Sequence, residues 1–459
     1  MDINLLLDTD SYKASHWLQY PRDLTAMGAY LESRGGENPE TLFFGLQMLL
    51  QQSFTTPITQ TDVEDAEEFW RSHGLPFNRQ GWERVVQVHS GRLPLRIRAV
   101  PEGSRVPTGQ VLMTVESTDP QLPWLVTWVE TQLLRVWYPI TVATRSWQLR
   151  TVLEAALERS ADDPAGELLF RLHDFGSRGV SSPQSAAIGG LSHLIAFRGT
   201  DTGAALVAGR RYYDCPMAGF SIPAAEHSTV LAWGQEHEAQ AYRNILDRFA
   251  RPGAVLAVVS DSYDLWNAVD HLWGEQLRQQ VIDSGATVVI RPDSGDPLRI
   301  VPELLRRLEA RFGSRVNGKG YRVLEHVRVI QGDAITTETL PLVLEAVLAA
   351  GFSAENVAYG MGGGLLQQLN RDTQRFAYKV SWVERSGRIQ PVHKSPITDP
   401  GKTSKAGVLD LIRSDGTYRT VVREAPGIHL DSCLQTVYEN GELLNRTTLD
   451  QVRERAEQG

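Results

Sequence analysis

The sequence predicts an α/β fold: a series of parallel strands with crossover helices, flanked at both chain ends by segments of a different β character. Three observations predict it. First, one grammar recurs, an apolar β-rich run followed by a polar cluster and then a helix-like stretch. It occurs at Ala254–Ser260 before Asp261-Ser262-Tyr263-Asp264, and at Ala286–Ile290 before Arg291-Pro292-Asp293-Ser294-Gly295-Asp296. It recurs at Val327–Ile330 before Gln331-Gly332-Asp333, and at Asn356–Tyr359 before Gly360-Met361-Gly362-Gly363-Gly364. Second, acids, an arginine and glycines gather where the runs end, which is where barrels and open α/β sheets hold their ligands. Third, residues 1–150 and those from 381 onward lack this grammar.

In chain order, Thr61–Ser72 reads as a helix capped by Thr61 with Glu64 three residues on. Leu93–Val100 and Gln110–Val115 read as strands around the turn-rich segment Pro101–Gly109, a small antiparallel unit. Leu122–Val136 and Arg145–Arg159 follow as helices, separated by Trp137-Tyr138-Pro139-Ile140-Thr141. The βα series begins with a strand at Glu167–Leu172, His173-Asp174-Phe175-Gly176-Ser177-Arg178-Gly179 at its end, and a helix at Ser185–Ala196. Asp201 stands at the start of another helix, and Val230–Glu238 is helix-like. Beyond residue 380 the pattern is irregular and β-like, with a basic loop at Lys402–Lys405 and an Asn440-Gly441 hairpin signal. The expected units are therefore 1–150, a βα catalytic domain at 151–380, and a C-terminal segment at 381–459.

Bulk properties exclude several classes. A chain of 459 residues with 42% apolar content holds two or three domain-sized units and a large core. A formal charge of −9 argues against nucleic acid as a partner, because phosphate neutralisation needs a basic face. There is no apolar run of about 18 residues for a membrane span, and Met1-Asp2-Ile3-Asn4 lacks the basic flank of a signal peptide. Cys215 and Cys433 have no ligand spacing, so a reducing cytoplasm is expected and zinc is not.

The strand-end residues suit a phosphorylated sugar. Gly362-Gly363-Gly364 before an apolar helix either presents backbone N–H groups to a phosphate or is only a tight turn. Arg371, which follows, either neutralises the same phosphate or is only a solvated helix arginine. Pro292 holds Arg291 and Asp293 in a defined relation, either for a ligand or as an internal ion pair. Asp261, Asp293 and Asp333 around one mouth would repel each other unless Mg²⁺ or sugar hydroxyls lie among them. His227 beside Glu226 is by default a hydrogen-bonded structural histidine. Phe175, between polar neighbours, either stacks a planar ring or belongs to the core.

Eight motifs in register then carry a resemblance. They are Thr9–Lys13, His173–Gly176 with Arg178–Ser182, Gly199–Thr202, Ala225–Thr229, Ser260–Asp264, Ile290–Gly295, Gln331–Asp333 and Gly362–Gln367. Together they resemble the nicotinamide-using enzymes of the nicotinate/nicotinamide phosphoribosyltransferase family, from about Leu5 to beyond Lys405. The resemblance implies an incomplete βα barrel with a second α+β domain built from both chain ends, and a homodimer with shared active sites. It implies transfer from 5-phosphoribosyl 1-pyrophosphate to nicotinamide, with Mg²⁺, and with ATP phosphorylating His227. It would place Phe175 and the partner subunit's Tyr12 around the pyridine ring, and Asp201 on its amide. Arg178, Arg291 and His227 would face pyrophosphate, and Asp261 and Asp293 the ribose and Mg²⁺. Gly332 and Asp333 would hold ribose hydroxyls, and Gly363 with Arg371 the 5′-phosphate; Arg34, Lys379, Lys394 and Lys402 match basic positions near the phosphates. Ser177, Ala334 and Met361 depart from the family pattern and touch the site's lining rather than its charges.

Overall fold

The computed structural model describes residues 4–398 and 402–459. The chain forms two compact units, one of Arg145–Arg210 and Pro216–Gln368, the other of Met1–Thr144, Arg211–Cys215 and Leu369–Gly459. The first holds a six-stranded sheet of β1 (Leu172–Asp174), β2 (Gly199–Thr200), β3 (Val255–Val259), β4 (Thr287–Arg291), β5 (Val327–Gln331) and β6 (Val357–Met361), beside a separate two-stranded pair, Ser314–Val316 and Arg322–Leu324. The order in the six-stranded sheet is β2-β1-β6-β5-β4-β3, and every pairing in it is parallel. The sheet curls, and its two edges are joined through an irregular segment. Phe220 makes a parallel bridge to Gly199 in β2, and Ala224 makes one to Ala257 in β3. Ala257, Val289 and Ile330 of its strands form a buried apolar cluster against which Phe175, Ile222 and Ala358 pack.

Several helices differ from expectation, each for a local reason. The stretch expected as a strand from Glu167 begins as a helix, Pro164–Leu168. Asp163 caps it by accepting the Gly166 N–H at 3.0 Å, and Pro164 sits at the first helical position. Val230–Glu238 is broken, because Gly234 takes φ +81° between the helix His227–Leu231 and the one starting at Glu238. The helix near residue 61 is capped by Thr59 with Asp62 rather than by Thr61 with Glu64. Leu122–Val136 divides into Leu125–Trp128 and Glu130–Leu134, whereas Trp137–Ser160 is one helix with Pro139 in its tolerant first turn.

The second unit is built on a seven-stranded sheet. Its order is Arg388–Pro391, Phe376–Arg385, Leu24–Ser33, Val111–Ser117, Leu95–Ala99, Gln435–Glu439 and Glu442–Leu443, all antiparallel. The last hairpin turns at Asn440 and Gly441, both with positive φ (+49° and +93°), the backbone that an Asn-Gly turn supplies. Trp82, Trp124 and Trp128 meet edge to face at 5.0–5.8 Å in its core.

Candidate active site

Because all six barrel strands run in parallel, the residues that follow them share one rim. Asp261, just past β3, is the centre of its charged arc. Its Oδ2 accepts the Asp293 backbone N–H at 2.9 Å and the Ser294 hydroxyl at 2.6 Å. Its Oδ1 lies 3.1 Å from His227 Nε2. Burial opposes the charge, yet the Ser294 hydroxyl, the Asp293 amide and His227 together hold the Asp261 carboxyl below its ordinary value. His227 Nδ1 is 3.9 Å from the Asp293 carboxylate, and Arg291 Nη2 is 3.8 Å from the same group. Arg291 Nε is buried and has no hydrogen-bond partner among the described residues, so the guanidinium keeps an unmet donor at the rim. Repulsion among the strand-end acids is thus partly relieved by the protein's own donors. Asp333, past β5, is exposed.

The neighbouring arc is aromatic and glycine-rich. Phe175 follows β1 and donates its N–H to the Met361 carbonyl at 3.0 Å. Its ring occupies space that Gly360 leaves open, since a Cβ there would fall 1.9 Å from Phe175 Cε2; Gly332 lies within ordinary contact range of the same ring. Past β2, the exposed Asp201 accepts the Ser221 hydroxyl at 2.6 Å, so one oxygen is held and the other is left outward. Arg178 is exposed on the loop after Phe175. That loop packs on the triple glycine, since a Cβ at Gly179 would lie 3.4 Å from Gly363 Cα. Gly362 precedes the short helix Gly363–Leu366, and its carbonyl accepts the Leu365 and Leu366 N–H at 3.0 and 3.3 Å. Pro292 is buried.

Tyr12, Arg34, Arg371, Lys379, Lys394 and Lys402 belong to the other unit. There Arg34 pairs with Glu32 at 2.7 Å, and Lys379 donates to the Tyr378 carbonyl at 2.7 Å. Burial lowers the Lys379 pKa; Glu130 opposes that shift, and the charges of Arg34, Arg371 and Lys394 add to it. Lys402 is exposed, and Tyr12 is 58% exposed on the 3₁₀ helix Ser11–Leu18. Sequence reasoning missed Asp174, Ser221, Ser294 and Gly360 as parts of the site. Only the repeated Ser/Asp/Gly composition after each strand signalled them.

A curled parallel sheet with histidine, carboxylates and arginine on its rim defines an α/β-barrel enzyme site. Residues 170–452 match the nicotinate phosphoribosyltransferase (NAPRTase) family, and residues 4–97 match the nicotinamide phosphoribosyltransferase N-terminal domain. A nicotinamide phosphoribosyltransferase of Xanthomonas campestris pv. campestris is 55% identical over 459 residues, covering 99% of this chain and 98% of that one. One of Acinetobacter baylyi is 31% identical over 99% of this chain and 97% of its own length. The solved structure of human nicotinic acid phosphoribosyltransferase shares the fold, with a TM-score of 0.62 at 20% identity over 98% of this chain and 93% of that one. A Pyrococcus furiosus nicotinate-nucleotide pyrophosphorylase does so with a TM-score of 0.62 at 14% identity, over 100% and 95%. The chain belongs to the nicotinate phosphoribosyltransferase family.

Proposed function

We propose that this protein joins nicotinamide to 5-phosphoribosyl 1-pyrophosphate, releasing nicotinamide mononucleotide and pyrophosphate. The observation that carries the reading is the 55% identity, end to end, with a relative named for that activity. The rim geometry supports it. Loss of pyrophosphate leaves an oxocarbenium-like ribose, so catalysis needs cations on the leaving group and a positioned nucleophile. Arg291, with its unmet Nε donor, supplies charge on the pyrophosphate side. Phe175 supplies a stacking face for the pyridine, whose nitrogen attacks without losing a proton. The pyridinium formed is favoured over an aromatic face by about 0.5–2 kcal/mol.

Among the described residues no group of three His, Cys, Asp or Glu side chains is arranged to hold a metal. Both Asp261 oxygens are engaged, which leaves Asp293 as the less committed carboxylate. Such a site fits Mg²⁺ carried largely by substrate phosphates and water, with Asp293 as its protein contact and Asp261 behind it. The ion would supply charge neutralisation on the departing pyrophosphate.

ATP is the proposed co-substrate: a ring nitrogen of His227 takes the γ-phosphoryl group, the bond to the β-phosphate oxygen breaks and ADP leaves. The support is an imidazole two-fifths exposed and oriented by a carboxylate, the arrangement of an activated nucleophile. The family resemblance further supports a cytoplasmic homodimer with the partner subunit's Tyr12 completing the base site; an active monomer in light scattering would overturn that assembly. The deciding assay incubates the protein with nicotinamide, phosphoribosyl pyrophosphate and Mg²⁺, with and without ATP, beside a parallel nicotinate reaction. Mononucleotide from nicotinamide is expected. Product from nicotinate alone would assign the acid as substrate, and no product in any arm would mark a non-catalytic scaffold.

A further inference from the structure

Phe175 and Asp201, the groups proposed to take the pyridine ring and its amide, stand past two different strands. One buried carboxylate ties both stretches together. Asp174, the last residue of β1, is fully buried. Its Oδ1 accepts the Gly176 N–H at 2.7 Å, fixing the turn that follows Phe175. Its Oδ2 accepts the Thr200 hydroxyl at 3.3 Å, at the end of β2. Its backbone carbonyl accepts the Asp201 N–H at 3.0 Å. Thr200 Oγ1 in turn accepts the Thr202 N–H at 2.9 Å, so both neighbours of Asp201 are held.

The surrounding backbone makes room for this group. A Cβ at Gly190 would lie 2.9 Å from Asp174 Oδ2, and one at Gly176 3.1 Å from Oδ1. A buried carboxylate is costly, and here it is satisfied by neutral donors: among the described residues no Lys, Arg or His pairs with it. An apolar residue would fill the same space at less expense. What the carboxylate adds is two directed acceptors, one for each wall of the base site.

We propose that Asp174 is a positioning residue that sets the spacing between Phe175 and Asp201, and through it the discrimination between pyridine bases. The inference rests on the phosphoribosyl transfer proposed above. Asp174→Ala removes both arms. It is expected to raise the KM for nicotinamide about ten-fold, the equivalent of one lost hydrogen bond to a charged group, and to leave the KM for phosphoribosyl pyrophosphate within about two-fold. The kcat/KM preference for nicotinamide over nicotinate should fall with it. Asp174→Asn keeps an acceptor for Gly176, and its amide N–H faces a Thr200 hydroxyl that can reverse its bond, so it should restore most of the preference. Thr200→Val cuts one arm only and serves where Asp174→Ala does not fold; a partial loss of preference is expected.

If either Asp174→Ala or Thr200→Val lowers thermal stability but leaves the base preference intact, the carboxylate is merely structural and the proposal is overturned. Equal rises in both KM values overturn it as well. A wild type that makes no mononucleotide removes the underlying reaction instead, and that outcome is read before any variant is compared.

Discussion

Asp201 gives the sharpest test of base recognition. Ser221 holds one carboxylate oxygen at 2.6 Å, leaving the other to accept an amide N–H from nicotinamide. Nicotinate would bring a second negative charge to that oxygen. Two like charges about 4 Å apart cost about 1 kcal/mol in bulk water and about 4 kcal/mol at an effective dielectric of 20. Asp201 is exposed in the single chain, so screening sets the lower figure and closure over a bound base the upper one. The wild type should therefore prefer nicotinamide by between roughly five-fold and a thousand-fold in kcat/KM. Asp201→Asn keeps a carbonyl acceptor and removes the charge. Nicotinate turnover should rise about five-fold or more in this variant, with nicotinamide turnover changed by only a few-fold. The assay is kcat/KM for each base, in wild type and variant, at one ionic strength. Equal use of both bases by the wild type, or a variant in which nicotinate gains nothing, would refute the charge argument.

Three further outcomes follow from the same geometry. His227→Ala should abolish ATP stimulation while retaining basal synthesis, measured as mononucleotide formed with and without ATP; full coupling in the variant rejects His227 as phosphoryl acceptor. Gly360→Ala puts a Cβ 1.9 Å from the Phe175 ring, so the ring must move. Overpacking of this kind costs about 1–3 kcal/mol, and the KM for nicotinamide should rise while that for phosphoribosyl pyrophosphate holds. The folded Asp261 pKa is depressed, so its contribution to stability is present above the ordinary carboxylate value near 4 and is lost as pH falls through the folded pKa. Urea melts across the acid range should show a shallower loss for Asp261→Asn than for wild type, and parallel profiles would contradict this.

How far the sequence could be read depended on whether a feature was local. The runs at Ala254, Ala286, Val327 and Asn356 became β3 to β6 because near-continuous apolar stretches bounded by turn residues suit only a strand buried on both faces. Asn440-Gly441 was legible because its backbone conformation is written in those two residue types. The helix at Pro164 also carried its signal, an Asp-Pro start, but the apolar run Leu168-Leu169-Phe170 masked it. The placement of Asp261 and Asp293 on one rim followed from parallel topology alone; that of His227 did not, because it ends an irregular segment rather than a strand. Nor did their hydrogen-bond partners. Ser294 sits 33 residues from Asp261, and Ser221 sits 20 residues from Asp201. Neither separation has a periodicity that a single sequence could expose.

The segment Phe220–His227 shows why the barrel's irregular edge belongs to the chemistry. A regular strand between β2 and β3 would spend its backbone on two full ladders and alternate its side chains in and out. This segment makes one bridge on each side, at Phe220 and at Ala224, and is otherwise free to aim side chains around the rim. At its start Ser221 holds Asp201, on the side proposed for the base. At its end Glu226 enters the helix that presents His227 to Asp261, on the side proposed for pyrophosphate. Ser221 and His227 stand six positions apart, an extended reach of about 20 Å, enough to cross a barrel mouth. One stretch of chain therefore touches the residue assigned to base choice and the residue assigned to ATP coupling. A loop insertion there would be expected to disturb both together.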